Sequence, residues 1–227
     1  MNSLSQWLRV AVLLLFVVGM VLGYPWVAKR RAQWRAAGQT GKNIAQTGFQ
    51  DGDLIFQTSL SAQSQAIQLA THSAYSHCGI LYQLNGQWQV FEAVQPVKLT
   101  PIAAWIARGR GGHFVVKRLR DAATALTPAA LTRLKAAGQP MLGHGYDLYF
   151  GWSDDRIYCS ELIWKVYERG LSRRLGKLQQ LRDFDLSHPA VQAKLRERYS
   201  RRLPLSETVI SPASIFTSPE LITVLSR

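Results

Sequence analysis

Cysteine is nearly absent from this 227-residue chain: only Cys78 and Cys159 occur, with no CxxC pair and no His/Cys cluster at zinc-ligand spacing. That excludes a disulfide framework and a zinc ribbon or finger, and the sequence implies neither metal nor cofactor. Acidic residues are scarce as well, 14 Asp and Glu against 27 Lys and Arg, so the net charge is +13. Such an excess favours an anionic surface as partner. Much of it lies between Arg169 and Arg202, and no nucleic-acid-binding signature accompanies it, so nucleic acid is not expected. Internal repeats and low-complexity tracts are also lacking. The length suits one well-packed domain rather than two.

Only one long apolar run exists. Val10 to Val27 is almost continuously apolar and, taken from Leu4, is long enough to cross a bilayer, with Trp7, Tyr24 and Trp26 at interfacial positions. Residues 1–28 therefore read as a single-pass transmembrane helix, an anchor or an uncleaved signal. A cleavable signal peptide competes, since Val21-Leu22-Gly23 offers small residues, but Lys29, Arg30, Arg31 and Arg35 disfavour cleavage. Residues 29–47 form a basic, polar linker and 48–227 the globular domain. Charge counting places that domain in the cytoplasm, whereas the resemblance described below points to the cell envelope; the side stays open.

Within the domain, strand and helix patterns alternate. Leu54-Ile55-Phe56-Gln57 reads as a buried strand and Ser61 to Thr71 as a helix without a strong cap. Ser76 to Tyr82 and Trp88 to Ala93 form a hairpin around Asn85-Gly86, a dipeptide that tolerates the positive φ of a tight turn. Val97 to Thr100 reads as a further strand. A helix opens at Thr100-Pro101, the glycines Gly109 to Gly112 break it, and His113 to Leu119 is a strand. Thr127-Pro128 caps a helix running to about Ala137. Further helices begin near Cys159 and at Pro189. The expected class is α+β, an antiparallel sheet packed against helices.

The chemistry concentrates in Tyr158-Cys159-Ser160-Glu161-Leu162. Cys159 falls in the first turn of a helix, where free N–H groups and the macrodipole stabilise a thiolate. A cysteine nucleophile needs a base and an orienting partner for it. Counting from a two-residue turn, Gly79 faces Glu92 and His77 faces Val94, so His77 and Glu92 are diagonal neighbours on one face. Cys78 then points to the opposite face with Ile80, Tyr82 and Phe91, a packing residue and an unsuitable disulfide partner for a cysteine approaching His77. His72, His113, His144 and His188 remain alternative bases, His113 the best of them.

Gly52-Asp53-Leu54-Ile55-Phe56, Ser76-His77-Cys78-Gly79-Ile80, Phe91-Glu92-Ala93 and Tyr158-Cys159-Ser160-Glu161-Leu162, in that order, resemble the YiiX/YaeF-like family of circularly permuted, papain-like cysteine hydrolases related to NlpC cell-wall peptidases. The endings Ser211-Pro212-Ala213-Ser214 and Ser218-Pro219-Glu220-Leu221 are also similar, and the likeness runs from about Phe49 onward. It implies a permuted papain-like fold with Cys159 as nucleophile, His77 as general base and Glu92 as third member. The Cys159 N–H would hold the oxyanion, with Tyr158 or Tyr75 as candidate hydroxyl donors. The resulting expectation is an envelope-associated, membrane-anchored thiol hydrolase cleaving an amide, in cell-wall peptide or a related substrate. A thioesterase or acyltransferase acting on membrane lipid, and a degenerate module binding anionic polymer or lipid, are the alternatives.

Overall fold

The computed structural model describes residues 48–199 and 202–227; the expected membrane-spanning segment and linker lie outside them. Among the described residues no helix is long and apolar enough to cross a membrane. The main elements are β1 (Leu54–Ser59), α1 (Ala62–Thr71), β2 (His77–Leu84), β3 (Gln87–Glu92), β4 (Lys98–Pro101), α2 (Ile102–Ile106), β5 (Gly109–Leu119), α3 (Pro128–Gly138), α4 (Cys159–Leu171), α5 (Pro189–Tyr199) and β6 (Leu221–Ser226). The strands form one antiparallel sheet in the order β6-β5-β1-β2-β3-β4. This is the expected α+β class.

The hairpin register matches the count from the sequence: Leu84 pairs with Gln87 and Ile80 with Phe91. Asn85 and Gly86 both take positive φ, 49° and 75°, as a two-residue turn demands. Since β1 pairs Gln57 with His77 and Phe56 with Cys78, side chains sort onto two faces. Leu54, Phe56, Cys78, Ile80 and Phe91 pack with Leu162, Ile163 and Val166 of α4 in the main core. On the other face Trp105 of α2 stacks on His77, ring centroids 5.9 Å apart.

Two local expectations are corrected, and one strand is added to those read from the sequence. Helix α1 does have a cap, because Ser61 Oγ accepts from Ser64 N at 3.1 Å. The helix does end before the glycine run, but the following strand starts earlier than His113: β5 begins at Gly109, where the Gln57 amide would lie 2.3 Å from any Cβ. That close approach, not flexibility, is what glycine provides there. The segment Leu221–Ser226 forms the edge strand β6, whose Ile222 and Val224 face solvent, so it carries little of the buried alternation that marks a strand.

Candidate active site

Helix α4 presents Cys159 as its first residue, and the buried Glu161 closes the turn by accepting from Tyr158 N at 3.2 Å. The helix packs across β2, so its N-terminus meets the start of that strand, where His77 sits. His77 Nε2 lies 2.6 Å from Glu92 Oε2. With Nε2 committed there, Nδ1 is the ring nitrogen left for the Cys159 thiol, and the two groups shift each other's ionisation. Gly79 makes the diagonal contact feasible: a Cβ there would meet Val90 at 2.4 Å and Glu92 Cβ at 3.4 Å.

Glu92 is wholly buried and fully engaged. Its Oε1 accepts from Thr100 Oγ1 at 2.6 Å and from Arg108 Nη2. Burial alone would raise its pKa, but His77, Thr100 and Arg108 hold the carboxyl below its ordinary value. Burial would likewise depress His77, yet the hydrogen bonds to Cys159 and Glu92 prevail and raise it to about 9. The Cys159 thiol is pushed well below its ordinary value, chiefly by a hydrogen bond from Cys78, against burial, with His77 assisting. Both shifts favour a thiolate beside an imidazolium.

The position of Cys78 corrects the sequence reading. It does face away from His77, into the core with Ile80 and Phe91. That is the face covered by α4, so facing away from His77 means facing Cys159. Both cysteines are free and buried. Burial and the neighbouring sulfur push the Cys78 thiol up, so it stays protonated and donates.

The two tyrosines expected from the sequence are engaged in the fold. The Tyr158 hydroxyl is buried and accepts from Ile210 N at 3.0 Å, which commits it to the fold. Tyr75 stacks on Phe216 at 4.2 Å and on His113 at 6.5 Å, so that rival histidine is occupied with an aromatic stack. A third tyrosine, Tyr146, was not read from the sequence. Its pKa is raised well above the ordinary value by burial and then by the charge on Cys159, and its oxygen accepts from Gln63 Nε2 at 3.0 Å. It lies in Gly143-His144-Gly145-Tyr146-Asp147-Leu148-Tyr149, a stretch with no catalytic motif. Arg108 and Thr100 had no signal, because their role depends on where β4 and α2 return to the sheet.

Two hollows flank the pair. A narrow cavity of about 90 Å³ has Cys159 in its wall and is otherwise almost wholly apolar, with Ala66, Ile67, Leu186, Leu195 and Val209, beside Lys194 and Arg198. A wider cleft of about 410 Å³ has His77 in its wall, with serine, glutamine and Arg108 side chains.

Comparison with known proteins shows the family. Residues 48–225 match the model of the permuted papain-like amidase family, YaeF/YiiX, C92. The YiiX protein of Escherichia coli K12 is 52% identical over 175 residues, 77% of this chain and 85% of its own length. A crystal structure described as metalloprotein yiiX, from Escherichia coli O157:H7, superposes with a TM-score of 0.75 at 52% identity, covering 78% of this chain and 97% of that one.

Proposed function

Since the chain belongs to the permuted papain-like amidase family of YaeF and YiiX, and is thus a cysteine hydrolase, we propose that it cleaves an amide bond whose acyl part is a hydrocarbon chain. The observation that carries this reading is the apolar cavity opening on Cys159. An acyl group bonded to the sulfur must extend into that cavity, and its walls offer hydrocarbon contact rather than partners for polar peptide groups. A cell-wall peptide, the expectation from the sequence, suits it less well.

The assigned roles are Cys159 as nucleophile, His77 as acid and base, and Glu92 as the group that fixes the imidazole. The thiolate attacks the carbonyl carbon, and the oxyanion is held by the Cys159 N–H at the helix start and by the Tyr146 hydroxyl. Collapse breaks the C–N bond, the imidazolium gives its proton to the leaving amine, and a thioester remains on Cys159. Neutral His77 then deprotonates a water that attacks the thioester, releasing the acid and restoring the pair. A thioesterase or acyltransferase acting on membrane lipid shares this acyl-enzyme and differs only in leaving group or acceptor; the cavity favours it equally. The related structure is described as a metalloprotein; among the described residues of this chain no group of three His, Cys, Asp or Glu side chains converges to hold an ion, and no step is routed through one. The proposal includes the single-pass anchor in residues 1–28, which would hold the domain at an envelope membrane, and the basic 169–202 region as its contact with anionic headgroups.

Incubation with a p-nitrophenyl ester of a saturated fatty acid, followed by intact-mass measurement, tests the nucleophile: wild type should gain one acyl group and Cys159→Ala none. Product analysis with N-acyl amides and murein peptides tests the substrate. Cleavage of murein peptides alone would refute the acyl-chain reading.

A further inference from the structure

The wider cleft supports a second inference, which rests on the hydrolase reading above. In an amide hydrolysis the acyl carbon stays with the sulfur, and the departing nitrogen must lie beside the acid that protonates it. Cys159 lines the apolar cavity and not the cleft, whereas His77 lines the cleft and not the cavity. The two hollows therefore receive the two halves of the substrate.

The cleft walls are of a different chemistry. Gln57 lies directly opposite His77 across the β1–β2 ladder, on the same face of the sheet. It lines the cleft and is only 1% exposed, and its Oε1 has no hydrogen-bond partner among the described residues. That oxygen is enclosed against Gly109, so Gln57 gives the cleft a polar wall rather than an acceptor aimed at a ligand. Arg108 enters the same cleft. One Nη2 contact goes to Glu92, the side chain is 43% exposed, and a guanidinium carries four further N–H donors. No Asp or Glu is among the side chains lining the cleft. We infer that the cleft is the leaving-group subsite and takes a polar amine bearing an oxyanion, a carboxylate or a phosphate, with Arg108 reading the anion.

The test holds one acyl chain constant and varies the amine: N-acylglycine, N-acylphosphoethanolamine, N-acylethanolamine and N-acylbutylamine, with kcat/KM measured for each. The two anionic amines should exceed the butylamide by about tenfold or more, because a site built to hydrogen-bond rejects an analogue that leaves its groups unpaired. Which anionic amine leads distinguishes a carboxylate from a phosphate. Arg108→Gln should erase the advantage of the anionic amines over N-acylethanolamine. That ratio is internal to one variant, so a general loss of activity does not obscure it. Equal rates for all four amines in wild type, or an unchanged preference in Arg108→Gln, would overturn the subsite. The p-nitrophenyl ester of the same acid needs no such subsite; if it too fails to acylate Cys159, the hydrolase reading fails instead.

Discussion

Cys78 shares the buried core cluster with Cys159 and draws the Cys159 thiol well below its ordinary value, although the two residues come from a strand and a helix far apart in the chain. The arrangement makes Cys78 a positioning residue: it touches no substrate but stabilises the nucleophile as an anion. Cys78→Ala removes that donor while leaving His77 in place. Iodoacetamide alkylation of Cys159, followed against pH, should show its ionisation midpoint moved upward in the variant. An unmoved midpoint would mean that His77 and the helix terminus suffice. Circular dichroism separates this from a packing defect, since Ala fills the core position with only a small loss of volume.

The pH dependence of catalysis follows from the same pair. His77, raised from 6.5 to about 9, keeps its proton through neutral pH, while Cys159 loses its own well below the ordinary thiol value. The rate should therefore be flat across neutrality, fall at low pH as the thiolate is protonated, and fall again near pH 9. Stability carries a matching signature. Unfolding releases a proton that folded His77 retains, so this contribution is complete below about pH 6.5 and disappears as pH rises through 9. Denaturant titrations of wild type and His77→Ala at pH 6 and pH 9.5 should show the difference shrinking at the higher pH.

Glu92→Gln changes one atom in the network. The carboxamide would set an N–H against His77 Nε2, so the ring would donate from Nδ1 and could not accept the thiol proton. Thr100 and Arg108 would still have an acceptor at Oε1. The expected result is a drop in kcat of about tenfold or more, one pKa unit being 1.36 kcal/mol, with KM little changed and the alkaline limb moved to lower pH. A variant that kept wild-type kcat and profile would show that the carboxylate serves folding alone.

The hairpin and the helix start were legible because they rest on local rules: a turn dipeptide, strand alternation and a thiol at a helix terminus. Those rules placed His77, Glu92 and Cys159 correctly relative to their own elements. They also assigned Cys78 to the right face, yet missed its contact, because which face α4 covers depends on the order in which elements pack and not on β2 itself. Arg108 and Tyr146 were illegible for the same reason. Each gains its role from a partner distant in sequence, and nothing in an isolated arginine or tyrosine announces such a partner.

Glu161 is a stability determinant beside the nucleophile. Its side chain has no exposure, and burial raises its pKa to about 7 in spite of an ion pair with Lys165 Nζ at 2.7 Å. A carboxyl that ionises near 4.5 when unfolded and about 7 when folded favours the native state at acid pH and opposes it above 7. Glu161→Gln keeps an acceptor for Tyr158 N and removes the buried charge, while Lys165 retains Asp154 and the Ser153 carbonyl. The variant should gain on wild type as pH rises from 5 to 8, by up to about 3 kcal/mol, in urea titrations. A constant difference across that range would mean the carboxyl stays ionised throughout.

The apolar cavity makes the length of the acyl chain a readable quantity. Ala66 projects from α1 into it and is 8% exposed. In Ala66→Phe the ring occupies space that hydrocarbon would otherwise fill, while His77, Glu92 and Cys159 keep their contacts. Across N-acylglycines from two to sixteen carbons, wild-type kcat/KM should climb with each methylene that enters the cavity, at about 0.8 kcal/mol apiece, and then level off. The variant should level off earlier with short chains unaffected, because they never reach the ring. If wild type and variant gave the same profile, the acyl chain would lie outside the cavity, and the substrate assignment built on it would fall with it.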